Sequence, residues 1–143
     1  MKKREDLIHI ANSGALDGIV GVELGVAEGK YSERILQNCI IDHWYSIDMW
    51  AGDRGHDVKQ YKSALSRLLP YKEMNTVLRM KFDEALDLFP DQFFDVIYID
   101  GYAHTGQESG KTLKDWWPKL KDGGLFSGDD YTSSWPATLA QVD

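Results

Sequence analysis

Residues 18–32, GIVGVELGVAEGKYS, decide how the rest of the chain is read. Ile19, Val20, Val22 and Leu24 form an apolar run that carries one acid, Glu23, near its end and breaks at Gly25. After Gly29 the spacing turns helical, with Tyr31, Ile35, Leu36 and Cys39 on one face and Asn38 near the end. The stretch is a strand, a glycine turn and a helix. Glycine lets the turn reach positive φ and lets a ligand approach without meeting a Cβ. The first N–H groups of the helix have no intrahelical partner and point over the strand end. Such a turn suits a ligand with a polar or negative end.

Working outward, Leu7, Ile10 and Ala11 predict a short amphipathic helix over residues 4–16. Downstream, HWYSIDM (43–49) mixes aromatic and β-branched residues and predicts a second strand with Asp48 at its tip. A polar loop, AGDRGHD (51–57), follows. Val58, Tyr61, Leu65, Leu68 and Leu69 predict a helix stopped by Pro70. NTVLRM (75–80) is a third strand, and Phe82, Ala85, Leu86 and Phe89 repeat at helical spacing up to Pro90. FFDVIYI (93–99) is nearly continuous in apolar residues, as a parallel strand covered on both faces should be, and it runs into Asp100 and Gly101. A helix over about 106–120 buries Leu113, Trp116, Trp117 and Leu120. A Gly123-Gly124 turn then leads into a fifth strand over 125–127, followed by Gly128, Asp129 and Asp130, and a weak helical segment spans 135–142.

Strand and helix alternate five times, which predicts an α/β fold: an open, doubly wound, Rossmann-like sheet of five parallel strands in the order 3-2-1-4-5, with helices on both faces. The 143 residues, 43% hydrophobic, form one domain with a real core. A net charge of −7 gives no electrostatic footprint for nucleic acid or an anionic membrane. Cys39 is the single cysteine, so no intrachain disulfide forms, and no run approaches a membrane span or an apolar leader. A cytoplasmic setting is expected, with Cys39 a buried structural thiol.

Ligands of such sheets bind above the carboxyl ends of the strands. Glu23, Gly25, Gly29 and Ser32 share that rim with Asp48, which lies 23 residues beyond Gly25, the spacing at which a second-strand acid reaches a ribose diol. Gly21, Gly25 and Gly29 are four apart, which departs from the GxGxxG dinucleotide fingerprint and disfavours a nicotinamide-dependent dehydrogenase. Asp100, Asp129 and Asp130 end two adjacent strands, and three neighbouring carboxylates repel unless a hard cation such as Mg²⁺ intervenes. His104 has the chemistry of a general base or a substrate contact. His9, His43 and His56 lack comparable context. The same residues also admit a plain glycine turn, a capping acid and exposed strand-end carboxylates.

Five motifs, VELGVAEGKYS (22–32), SIDMW (46–50), FDEAL (82–86), DVIYIDG (95–101) and GGLFSGDDY (123–131), occur in order. Over residues 18–131 the chain resembles the class I S-adenosylmethionine-dependent methyltransferases. Within them it is similar to the small metal-dependent O-methyltransferases of the catechol and macrolide-sugar types. The resemblance implies that Glu23 and the turn Gly25, Val26, Ala27 and Gly29 hold the donor's methionine end, with Ser32 near its carboxylate. It implies that Asp48 takes the ribose hydroxyls, that Met49 and Trp50 flank the adenine, and that Phe82 and Asp83 line its other side. Asp100 would border the donor and, with Asp129 and Asp130, hold Mg²⁺ against the hydroxyl of a small substrate such as a sugar or secondary metabolite. Asp100 or His104 would remove the proton. Many relatives continue Asp-Gly with Asp-His, whereas Tyr102 and Ala103 precede His104 here. The superfamily also adds two strands beyond the fifth, so a homo-oligomer covering the strand-five edge is expected. The alternative is a shortened protein that binds or cleaves S-adenosylmethionine without transferring a methyl group.

Overall fold

A computed structural model describes residues 18–51, 57–99 and 109–128. β1 (Ile19–Leu24), β2 (Ile41–Asp48), β3 (Asn75–Arg79), β4 (Phe94–Ile99) and β5 (Leu120–Gly128) form one sheet in the order β3-β2-β1-β4-β5. Every neighbouring pair is parallel. The expected order and direction are therefore those of the structure. The helices expected over 4–16 and 135–142, together with Asp100, His104, Asp129 and Asp130, lie outside the described residues.

Both faces of the sheet are covered by helices: α1 (Lys30–Asn38), α2 (Val58–Leu68), α3 (Phe82–Ala85) and α4 (Ser109–Trp116). Ile19, Trp44, Val96 and Tyr98 pack with Tyr31, Ile35, Leu36 and Leu68 of α1 and α2. Val22, Leu24, Ile47, Ile97 and Ile99 pack on the opposite face with Ala85, Phe89 and Trp116. Strand side chains alternate between faces, so a strand sandwiched this way needs apolar residues at both parities. That is why β1 and β4 read as continuous apolar runs. Gly21, which with Glu23 interrupts the run in β1, makes room for an indole: a Cβ there would lie 2.7 Å from Trp44 Cε3.

Three helices tighten into 3₁₀ turns, at Leu69–Tyr71, Leu86–Leu88 and Trp117–Lys119. Pro70 and Pro118 sit at the start of two of them, so each proline ends its α-helix through one tight turn rather than abruptly. The phase change carries Trp117 off the expected buried stripe and leaves it 37% exposed, while Trp116 is fully buried.

The fifth strand differs from its sequence-based expectation. It begins at Leu120 and runs through Gly123 and Gly124, which form no turn. The β4–β5 register slips between Phe94 and Val96, as at a bulge. Gly123 takes φ +80°, and a Cβ on Gly124 would lie 2.8 Å from the Asp95 carbonyl oxygen. The glycine pair thus absorbs an irregularity inside a strand, and sequence alone does not distinguish that from a turn.

Candidate functional site

β1 ends at Leu24, and the Gly25 amide donates to the Ile47 carbonyl at 2.8 Å, tying the first turn residue to β2. Gly25, Ala27 and Gly29 take φ of 99°, 55° and 85°, so the turn rests on three left-handed residues of which one is not glycine. Gly29 is also the N-cap of α1 and caps it without a side chain. A Cβ on Gly29 would come within 3.3 Å of Ala64, so glycine here also permits the close approach of α1 and α2. The first amides of α1 are consequently offered at the carboxyl end of β1 with no side-chain cap over them.

Asp48, the last residue of β2, is 5% exposed and reaches this turn directly. Its Oδ2 accepts from the Val26 and Ala27 amides at 2.8 and 3.0 Å. Its Oδ1 accepts from the Trp50 amide at 2.9 Å. A carboxylate that receives several N–H groups is fixed in orientation. The sequence places Asp48 correctly beside the turn, but it does not reveal that the carboxylate holds the turn's own amides.

Trp50 is fully buried and packs with Val26 and Ala64. Its indole N–H donates to the Ala27 carbonyl at 2.7 Å. Trp50, which the resemblance sets beside the adenine, is an interior ring against the turn. Met49 is half-buried beside it. Phe82, half-buried, packs on the core face of α3, and Asp83 is exposed in the first turn of that helix.

Glu23 and Ser32 lie one layer below the rim, 1% and 0% exposed. The Ser32 hydroxyl donates to Glu23 Oε1 at 2.5 Å, lies 2.8 Å from Ser46 Oγ, and accepts from Trp44 Nε1 at 3.0 Å. Asn75 Nδ2 extends the chain of contacts to Ser46 Oγ and the Trp44 carbonyl, both at 3.0 Å. The Ser32 hydroxyl, which the resemblance sets near the donor's carboxylate, takes part in this buried network. Trp44, Ser46 and Asn75 are members that sequence reasoning missed. One signal was legible: Glu23 is the lone acid inside the apolar run of β1, and it stands opposite Ser46 in the β1–β2 register.

Among the described residues no group of three His, Cys, Asp or Glu side chains is placed to hold a metal ion. Ile99 stands opposite Gly128 in the β4–β5 register. Asp100 and Asp129 follow these two residues in the sequence and lie outside the described residues.

The family described as "Methyltransferase domain" matches residues 22–131, most of the chain, from within β1 through β5. The chain belongs to this methyltransferase-domain family. No curated protein matches it. Solved structures share the fold at low identity. An S-adenosylmethionine-dependent methyltransferase from Mesorhizobium loti superposes with a TM-score of 0.60 at 18% identity, covering 86% of this chain and 52% of that one. Spermidine synthase from Thermotoga maritima gives 0.68 at 16% identity, with 97% and 49% covered. Precorrin-8w decarboxylase from Methanobacterium thermoautotrophicum gives 0.63 at 22%, with 85% and 59% covered. The methyltransferase domain thus spans between 49% and 59% of the length of these structures.

Among the described residues, Cys39 and His43 are titratable groups shifted by burial away from the turn of this methyltransferase domain. Cys39, expected to be a buried thiol on the helix face, is instead half-buried just past the end of α1, because the helix stops at Asn38, and partial burial still pushes its thiol up. Burial lowers the pKa of His43, near the amino end of β2, where Nε2 meets Thr76 Oγ1 at 2.6 Å. Among the described residues, no helix is long and apolar enough to cross a membrane.

Proposed function

We infer that this domain binds S-adenosylmethionine in the Gly25–Gly29 turn and transfers its methyl group to an oxygen of a small hydroxylated acceptor. The observation that carries the reading is the Asp48 carboxylate bound to the Val26 and Ala27 amides, because it unites the second-strand acid and the glycine turn in one constellation. The residues present suit this donor. Side-chain-free amides at the start of α1 match a carboxylate end, and a carboxylate at the tip of β2 matches a ribose diol.

When bound, the donor supplies a methyl group activated on a sulfonium. The chain's own part is to orient it. The turn seats the amino-acid end, Asp48 accepts from ribose, and Met49 with Phe82 and Asp83 borders the base. Glu23, Ser32 and Trp50 serve from below, fixing the turn that the donor meets. Asp100, Asp129 and Asp130 are proposed to hold Mg²⁺, a hard cation suited to carboxylate oxygens and to a substrate hydroxyl. Asp100 or His104 then takes the acceptor's proton. Positioning of this kind accounts for a large share of a displacement barrier.

The test is isothermal titration with S-adenosylmethionine, followed by incubation with a panel of sugars and phenols, with Mg²⁺ or with chelator. Methylated product and S-adenosylhomocysteine in equal amounts support the reading. The same fold serves a named spermidine synthase and a named decarboxylase, so donor consumption is measured separately from product. Consumption without a methylated acceptor points to the donor-cleaving alternative, and absence of donor binding refutes both.

A further inference from the structure

Ala27 and Trp50 are non-glycine residues with φ of 55° and 46°, and they face each other across the site. A left-handed conformation is unfavourable for a residue with a Cβ, so each must be held from outside. They hold one another. The indole N–H of Trp50 donates to the Ala27 carbonyl at 2.7 Å, while the two backbone amides converge on Asp48, at 3.0 Å from Ala27 and 2.9 Å from Trp50. On the far side, Arg79 donates from Nε to the Met49 carbonyl at 3.2 Å and from Nη2 to the Trp50 carbonyl at 3.1 Å. The Arg79 guanidinium lies 4.8 Å from the centroid of the Tyr61 ring, and that ring packs on Trp50, also at 4.8 Å between centroids. The loops after β1 and β2 are thereby one braced body, anchored on β3 and α2.

We propose that Trp50 is a positioning residue for the donor, acting through Ala27 and the glycine turn rather than by contact with the adenine. The proposal rests on the reading that the turn seats the amino-acid end of S-adenosylmethionine. Ala27 relaxes out of the left-handed region once its carbonyl is released, and the turn then spends part of its time in forms that do not fit the ligand. Apparent affinity falls by the competent fraction, so a turn competent about one-tenth of the time binds about tenfold more weakly. Arg79 supports the same geometry one step further out.

The full chain is compared with Trp50→Phe, which keeps a buried aromatic ring and removes the indole N–H. The probes are S-adenosylhomocysteine, which carries the amino-acid end, and methylthioadenosine, which lacks it. Arg79→Met is a second variant whose exposed side chain can be removed without opening the core. Amide hydrogen exchange at Val26 and Ala27 without ligand reads the brace independently of the donor. The expected result is a dissociation constant raised about tenfold for S-adenosylhomocysteine and less than about twofold for methylthioadenosine, with faster exchange at both amides. Arg79→Met shows the same split, smaller in size. Equal weakening of both ligands makes Trp50 an adenine wall and overturns the proposal. Unchanged S-adenosylhomocysteine affinity in both variants overturns it as well. A parent chain that binds neither probe removes the donor reading itself, and the proposal with it, whatever the exchange rates.

Discussion

Asp48→Asn tests the centre of the site with the least change of shape. The asparagine keeps one carbonyl oxygen, which can still serve the Val26 and Ala27 amides now received at 2.8 and 3.0 Å. Its NH₂ group then faces the Trp50 amide, donor against donor, at the place where Oδ1 accepted at 2.9 Å. One charge-assisted hydrogen bond is lost and two become neutral, which together cost about 3–5 kcal/mol at a largely buried carboxylate. Whole domains are stable by about 5–15 kcal/mol, so the loss is large but survivable. Urea unfolding followed by circular dichroism reads it directly. With a slope of about 2 kcal/mol per molar urea, the midpoint falls by roughly 2 M at an unchanged slope. A shift below about 0.5 M means that the turn does not depend on this carboxylate, and the account of the site fails. Donor titration of the folded variant is the second arm, expected to show affinity at least about tenfold weaker from the loss of a charged partner. Parent-like affinity alongside lost stability removes the ribose role and leaves the turn-holding one.

Ser32→Ala leaves Trp44 Nε1, Ser46 Oγ and Glu23 Oε1 each short of one buried partner, and about 3–5 kcal/mol of destabilisation is expected in the same urea assay. Gly21→Ala pushes a methyl into the Trp44 ring and to 3.3 Å from the Val96 carbonyl, with an overpacking cost of about 3 kcal/mol and a changed near-ultraviolet tryptophan signal. Burial lowers the folded-state pKa of His43 below its ordinary value of 6.5, so the unfolded chain binds that proton more readily. The associated stability is complete above the unfolded value and declines as pH falls through the folded one. His43→Gln flattens this acid-side slope in urea midpoints measured across pH 5 to 7.5, on the order of the range in which histidine titrates. The double change Asp129→Asn and Asp130→Asn abolishes Mg²⁺ stimulation of methyl transfer while leaving donor affinity within about twofold, since the proposed metal serves the acceptor. Activity insensitive to both the substitutions and chelator removes the metal from the proposal.

The sequence by itself determined the strand order and pointed to the rim where the candidate site is proposed. Apolar runs of strand length, alternating with helical spacing, admit few topologies once crossovers are right-handed, and the breaks at Gly25 and after Asp48 mark the rim. These are local signals, carried by residues close together in the chain. Tertiary structure decided what the rim residues do. Asp48 lies 22 residues from Val26, Trp50 lies 23 from Ala27, and Asn75 lies 29 from Ser46. No periodicity links such pairs. Whether a carboxylate faces a ligand or a neighbouring amide, and whether an indole walls a pocket or braces a turn, depends on strand register and on the close approach of α1 to α2 at Gly29. The same holds for Gly123 and Gly124, identical in composition to a turn but placed by the register of β4 inside a strand. Hydrogen-bond direction is a property of packed neighbours, and only the fold brings those neighbours together.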